Sequence, residues 1–194
     1  MSDRGVRVLA IPGSLRRQSY NRSLVEAAQR LAPSGMTLTP YDSLDTVPLF
    51  NEDLEHPVPD GVARLRKAVA ASDGLLIVTP EYNQSVPGVV KNMVDWLSRT
   101  EGPDSLAEKP VAVTGVTPGL WGTRIAQVML RQILTSTQAL VLPSPTLFLR
   151  DAETIFDADR NLVDRTAVRL LEDLLVSFGR WIRLHSAQRD DAVG

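Results

Sequence analysis

The sequence predicts a parallel α/β fold with helices on both faces of one sheet, on three observations. Short β-rich apolar runs alternate five times with longer stretches of helical period, the pattern of βα units. The third run, Leu75-Leu76-Ile77-Val78-Thr79, is apolar without alternation, as a strand covered on both sides must be. At 194 residues and 43% hydrophobic content the chain can bury one sizeable core, so a single domain over residues 1–194 is expected.

The elements follow in order. Residues 6–11 form the first strand, and Leu24, Val25, Ala28, Leu31 and Ala32 recur at the spacing of one helical stripe until Pro33-Ser34-Gly35 stops it. The run 36–41 is a weaker strand whose Pro40 cannot donate to a ladder, which places it at the sheet edge. Asp60 is expected to cap a helix that turns Val62, Leu65 and Val69 inward, and Gly74 to end it before the third strand. Pro87 suits the first turn of the next helix, whose buried stripe is Val89, Val90, Met93, Val94 and Leu97. Residues 111–116 read as the fourth strand, 125–134 as the fourth helix, 139–142 as the fifth strand, and about 161 to about 184 as a last long helix. The polar stretch 150–160 reads as an exposed turn or small hairpin within the domain.

Composition narrows the function classes. Lys plus Arg number 21 against 23 Asp plus Glu, so no charge excess draws the chain to nucleic acid or an anionic membrane. With no cysteine, disulfides, thiolate nucleophiles and Cys-ligated metals are excluded. The first apolar run ends at Pro12-Gly13, too short for a signal-peptide core or a bilayer span, so a cytoplasmic protein is expected.

Ligands of open α/β sheets bind beyond the carboxyl ends of the strands, where strand order reverses. After the first strand, the segment from Gly13 through Ser14, Leu15, Arg16, Ser19 and Asn21 runs into a helix start. Unpaired N–H groups, the helix dipole, hydroxyls and arginines make such a turn a seat for a phosphate; the same residues could serve as an ordinary N-cap with solvated arginines. The turn has neither the G-x-G-x-x-G nor the G-x-x-x-x-G-K-[ST] spacing, so a phosphomonoester fits better than a dinucleotide or triphosphate. After the third strand, Pro80-Glu81-Tyr82-Asn83-Gln84-Ser85-Val86-Pro87 is stiffened by its prolines and can present backbone groups to a flat heterocycle, or can be a rigid connection and nothing more. After the fourth strand, the loop containing Thr117, Gly119, Trp121 and Gly122 is Gly-rich and permits close approach of a ligand.

Gly13-Ser14-Leu15-Arg16 with Ser19 and Asn21, Pro80-Glu81-Tyr82-Asn83 with Ser85-Val86-Pro87-Gly88, and Lys91-Asn92-Met93-Val94-Asp95-Trp96-Leu97-Ser98-Arg99 together resemble the NADPH-dependent FMN reductase family, with its chromate, quinone and azo reductases. The resemblance covers nearly the whole chain. It implies a flavodoxin-like three-layer fold, a five-stranded parallel sheet in the order 2-1-3-4-5 and a noncovalent FMN. It further implies hydride transfer from NADPH or NADH to the flavin, then two electrons to a small acceptor, by a ping-pong mechanism. By the same resemblance Ser14, Arg16, Ser19 and Asn21 hold the phosphate with Leu15 between them. Pro80, Glu81, Tyr82 and Asn83 line the isoalloxazine, and Thr117 and Gly119 border the site. Homodimers or homotetramers are implied too. The chain departs from the family's pattern at Trp121-Gly122-Thr123, where relatives tend to carry a Gly-Gly pair, and at Gln84, where they often carry an aromatic. An electron carrier without a substrate of its own is the competing function, and a flavin-free regulator that retains the fold is a second.

Hydride transfer needs no ionisable catalytic residue, so Glu81 and Asp95 are assigned no chemistry. His56 and His185 lack metal-ligand spacing and are read as surface residues, and no metal site is expected. Asp157-Ala158-Asp159-Arg160-Asn161 begins like a calcium loop, but Leu162 stands where Gly is required and Val168 where the closing Glu is required. Leu171, Leu174, Phe178 and Trp181 read as helix-spaced core residues, and Trp96 could pack internally or at a subunit interface.

Overall fold

The computed structural model describes residues 5–99 and 105–193, with side chains to residue 186. Residues 1–4 lie outside it. The elements are β1 (Val6–Pro12), α1 (Tyr20–Arg30), β2 (Met36–Pro40), α2 (Asp60–Ala70), β3 (Gly74–Val78), α3 (Gly88–Leu97), β4 (Pro110–Val116), α4 (Arg124–Ser136), β5 (Leu140–Val141), β6 (Leu147–Leu149), α5 (Ala152–Ile155) and α6 (Arg165–Val193). All pairings in the sheet are parallel and the order is β2-β1-β3-β4-β5, with β6 also paired to β4. This is the flavodoxin-like arrangement, and the strand carrying Pro40 is its edge.

Alternation along the inner strands divides the core in two. Leu76 and Val78 of β3 join Val8, Ala10 and Ala112 beneath α1 and α6, among Leu24, Leu171, Leu174 and Phe178. Leu75 and Ile77 face the other way with Leu9, Ile11, Val111 and Val113, under Val62 and Leu65 of α2, Met93 and Trp96 of α3, and Leu130 of α4. Trp96 is internal: its indole N–H donates to Pro48 O at 2.8 Å and its ring meets Phe50 edge-on at 5.0 Å.

Several boundaries differ from the sequence expectations. Asp60 does not cap α2 but is its first residue, behind Pro59, where its carboxylate still favours the helix N-terminus. Gly74 belongs to β3 rather than to a helix end. A Cβ there would lie 2.7 Å from Ile182 Cδ1 and 3.0 Å from Phe178 Cζ, so its role is to let α6 lie close on the sheet. Pro87 precedes α3 at the cap position instead of sitting in its first turn. On α4, Ile125, Val128 and Met129 are exposed while Ala126, Gln127, Leu130 and Leu134 are buried.

The fifth strand is two short pieces, because Pro143 and Pro145 between them have no N–H to give to a ladder. Side chains bond the carbonyls this break leaves: Arg131 Nη1 donates to Leu142 O at 2.6 Å, Gln127 Nε2 and Thr114 Oγ1 to Leu147 O at 3.0 Å each, and Trp181 Nε1 to Leu140 O at 2.7 Å. Trp181 is therefore half-buried and polar-anchored as well as packed. His185 is not free on the surface either, since its ring stands edge-on to Trp181 at 4.3 Å. The stretch 150–160 is more than an exposed turn: it contains α5, and Ala152 and Phe156 are buried. The last helix starts four residues later than expected, at Arg165, because Leu162 pairs with Phe156 in an antiparallel bridge.

Candidate functional site

Register brings three loops to one edge. Pro12 is level with Val78, Val78 with Thr114, and Val116 with Leu149, so the segments after β1, β3, β4 and β6 leave the sheet side by side. Gly13 lets the first two touch: a Cβ on it would meet Val90 Cγ2 at 2.6 Å and Pro80 Cδ at 3.2 Å, contacts no other residue could make without displacement. Between the loops lies an open cavity of about 280 Å³, lined by Ser14, Arg16, Ser19, Tyr20, Asn21, Pro80, Glu81, Tyr82, Val116, Thr117 and Pro118.

The first wall is rich in hydrogen-bond donors. Ser14 and Ser19 are buried, and Ser19 is the N-cap of α1, its Oγ accepting from Asn21 N at 3.2 Å. Ser14 Oγ approaches both Arg16 N and the Tyr82 hydroxyl at 3.4 Å, which ties the first loop to the second. The N–H groups of Leu15, Arg17, Gln18 and Tyr20 donate to no other described residue, a cluster of free donors at the positive end of a helix. Ser19 accepts the Asn21 N–H as the cap of α1, and its hydroxyl proton stays available to donate.

The second wall is a two-residue turn. Tyr82 and Ser85 exchange backbone hydrogen bonds of 3.2 and 3.0 Å, while Asn83 and Gln84 between them take φ of 51° and 57°, the signature of a type I′ turn. This leaves the N–H groups of Glu81, Asn83 and Gln84 without an acceptor among the described residues. Glu81 has a task the sequence did not announce: its Oε2 accepts from Ala126 N at 2.9 Å and caps α4. The helix needs this, because Thr123 at its cap position is left-handed, with φ 57°, and its hydroxyl accepts from Gln127 Nε2 instead. No local motif could reveal a cap 45 residues away.

Of the residues expected at the site, Ser14, Arg16, Ser19, Asn21, Pro80, Glu81, Tyr82 and Thr117 line this cavity. Leu15, Asn83 and Gly119 lie in the same loops but do not line it. Asn21 is buried, and its amide grips β4: Nδ2 donates to Val116 O and Oδ1 accepts from Val116 N, both at 3.0 Å. Gly119 N donates to Thr117 Oγ1 at 3.2 Å, which shapes the third loop. Tyr20, Val116 and Pro118 were not anticipated. Tyr20 directly follows the cap residue and packs against Phe156 at 5.5 Å and under Arg160 at 4.0 Å, so the hairpin after β6 flanks the first wall.

Asp95 forms an exposed ion pair with Lys91 at 2.5 Å, one turn along α3, and has no place in the cavity. Asp157 accepts from Asn161 N at 2.8 Å, closing the hairpin. No described helix is long and apolar enough to cross a membrane.

Comparison with known proteins agrees with this geometry. Residues 6–154 match the family described as NADPH-dependent FMN reductase. An NAD(P)H-dependent FMN reductase of Pseudomonas aeruginosa is 40% identical over 94% of this chain and 98% of its own length. A 2-hydroxy-1,4-benzoquinone reductase of a Burkholderia species is 35% identical over 92% and 97%. The solved structure of a flavoenzyme NAD(P)H:(acceptor) oxidoreductase from Paracoccus denitrificans superposes with a TM-score of 0.85 at 32% identity, covering 93% of this chain and 98% of that one. With the fold, the loop convergence and these matches in agreement, the chain belongs to the NADPH-dependent FMN reductase family of flavin-dependent oxidoreductases.

Proposed function

We propose that this chain binds FMN noncovalently across the cavity, takes hydride from NADPH or NADH, and reduces a small acceptor such as a quinone. The observation that carries the reading is the meeting of two walls: the donor-rich start of α1, joined through Ser14 and Tyr82 to a stiff turn with three N–H groups that lack an acceptor among the described residues.

The donor set fits a flavin mononucleotide. Ser14 and Ser19 hydroxyls, the N–H groups of Leu15, Arg17, Gln18 and Tyr20, and the Arg16 guanidinium would hold the phosphate. Asn21 contributes by holding the seat to β4, since its amide already grips Val116. Pro80, Glu81, Tyr82 and Asn83 would face the ring, the N–H groups of Glu81 and Asn83 acting as fixed donors for charge developing on it. When bound, the flavin supplies the redox chemistry, accepting hydride from a reduced nicotinamide and returning two electrons to an acceptor. The protein's part is to position the ring and leave one face open, so donor and acceptor use that face in turn. The benzoquinone reductase among the relatives supports a quinone as the acceptor class.

The test is anaerobic. Protein reconstituted with FMN is expected to lose its visible flavin absorption on addition of NADPH or NADH and to regain it on addition of a quinone, with parallel initial-velocity lines. Protein that does not take up FMN, or whose bound flavin neither nicotinamide reduces, would overturn the proposal.

A further inference from the structure

The start of α1 is flanked by a cation that comes from a distant part of the chain. Arg160, in the hairpin between β6 and α6, has its Cζ 4.0 Å from the centroid of the Tyr20 ring. Tyr20 is the first residue of α1 and lines the cavity. A carbon in the plane of a six-membered ring approaches its centroid only to about 5 Å, the ring radius plus a carbon–carbon contact of about 3.5 Å, so the guanidinium carbon lies over the ring face.

This cation has no counter-charge among the described residues. Arg160 forms no ion pair there, and its Nη1 is shut off from solvent with no hydrogen-bond acceptor. The carboxylate of Asp157, three residues back, is occupied by Asn161, whose N donates at 2.8 Å and Nδ2 at 3.2 Å. The first turn of α1 contains no acidic residue. A buried guanidinium N–H without an acceptor is unfavourable, and the left-handed backbone of Arg160, with φ 67°, adds to this. The hairpin does not need the side chain, since it is closed by the Phe156–Leu162 bridge and the Asp157–Asn161 contacts. What the side chain does contact is the ring beside the α1 cap, and a positive charge left unneutralised there acts on whatever anion occupies that wall.

We propose that Arg160 is a positioning residue for the flavin phosphate: stacked on Tyr20, it fixes that ring at the start of α1 and adds its charge to the seat through it. The inference rests on the proposed binding of FMN and adds a residue that favours the phosphorylated flavin. Its charge is felt by the phosphate of FMN and by nothing comparable on riboflavin.

Fluorescence titration of the full chain, freed of flavin, with FMN and with riboflavin tests it without turnover. Arg160→Gln is expected to weaken FMN binding by about fivefold to tenfold and riboflavin binding by less than about twofold. Arg160→Lys keeps the charge and is expected to restore most of the FMN-over-riboflavin ratio. Arg160→Gly relieves the left-handed backbone, so it guards against a damaged hairpin, and it is expected to lose the same ratio as Arg160→Gln. The salt dependence of FMN affinity is expected to be shallower in both uncharged variants than in the wild type. Unchanged FMN binding in these two variants, or equal losses for the two flavins, would overturn the inference, the second outcome reducing Arg160 to packing. Wild-type protein that binds neither flavin would instead sink the proposed function.

Discussion

Asn21 carries a structural task that its position in the loop does not announce. Its position after the cap residue suggests a phosphate donor, yet its amide satisfies both backbone groups of Val116, the last residue of β4. Asn21→Ala would orphan a buried N–H and a buried C=O, and a loss of about 2–4 kcal/mol in unfolding free energy is expected from urea denaturation. Gln84 is the converse case, a residue in a conformation it does not favour. The second central position of a type I′ turn suits Gly, and Gln at φ 57° carries a steric cost of about 1–2 kcal/mol. Glycine would relieve this but adds about 0.5–1 kcal/mol of unfolded-chain freedom. Gln84→Gly is therefore expected to raise the urea midpoint modestly, by about 0.5 kcal/mol of stability.

At the scale of elements, the helices of this chain begin and end on contacts that are remote in sequence. Glu81 caps α4, and buried Lys109 donates to Val69 O and Ser72 O at 3.1 Å each, satisfying carbonyls at the end of α2. The hairpin after β6 is closed locally. Asp157 is held below the ordinary carboxylate value of 3.8, first by the Asn161 backbone N–H and then, against partial desolvation, by the Asn161 side chain. Because the folded value is the lowered one, this contribution is complete above the unfolded value and is lost as pH falls through the folded one. The Asn161 amide resonance is expected to titrate with a midpoint below 3.8, and a midpoint at or above that value would contradict the contact. The hairpin flanks Tyr20, so acid is expected to loosen the Tyr20 side of the cavity before the Tyr82 side.

For the whole molecule, the site is a consequence of register: the strand ends are level, and a ligand across them joins α1, the turn after β3 and the loop after β4. A ligand that bridges these segments stabilises only the folded chain. At free FMN about 100 times its Kd, about 2.7 kcal/mol of linkage is expected, or about 5–10 °C in Tm for a domain of this size. Riboflavin, lacking the phosphate, is expected to shift Tm less at equal concentration. Equal shifts would show that the seat around Ser14 and Ser19 contributes nothing.

Periodicity and punctuation carried the architecture: five apolar runs, an edge strand marked by Pro40, and a central strand marked by its unbroken apolar face were all legible, because a strand's burial is written in its own residues. The loops that form the site were legible for the same reason, as dense donors and prolines at strand ends. The partners of those side chains were not legible. Asn21 with Val116, Glu81 with Ala126, and Trp96 with Pro48 are separated by 95, 45 and 48 positions, and a hydrogen bond between such residues leaves no local pattern. The break in the fifth strand was likewise visible only as two prolines. That Arg131, Gln127, Thr114 and Trp181 would bond the carbonyls beside it was decided by the packing of α4 and α6 onto the sheet, where an unpaired buried carbonyl is too costly to leave.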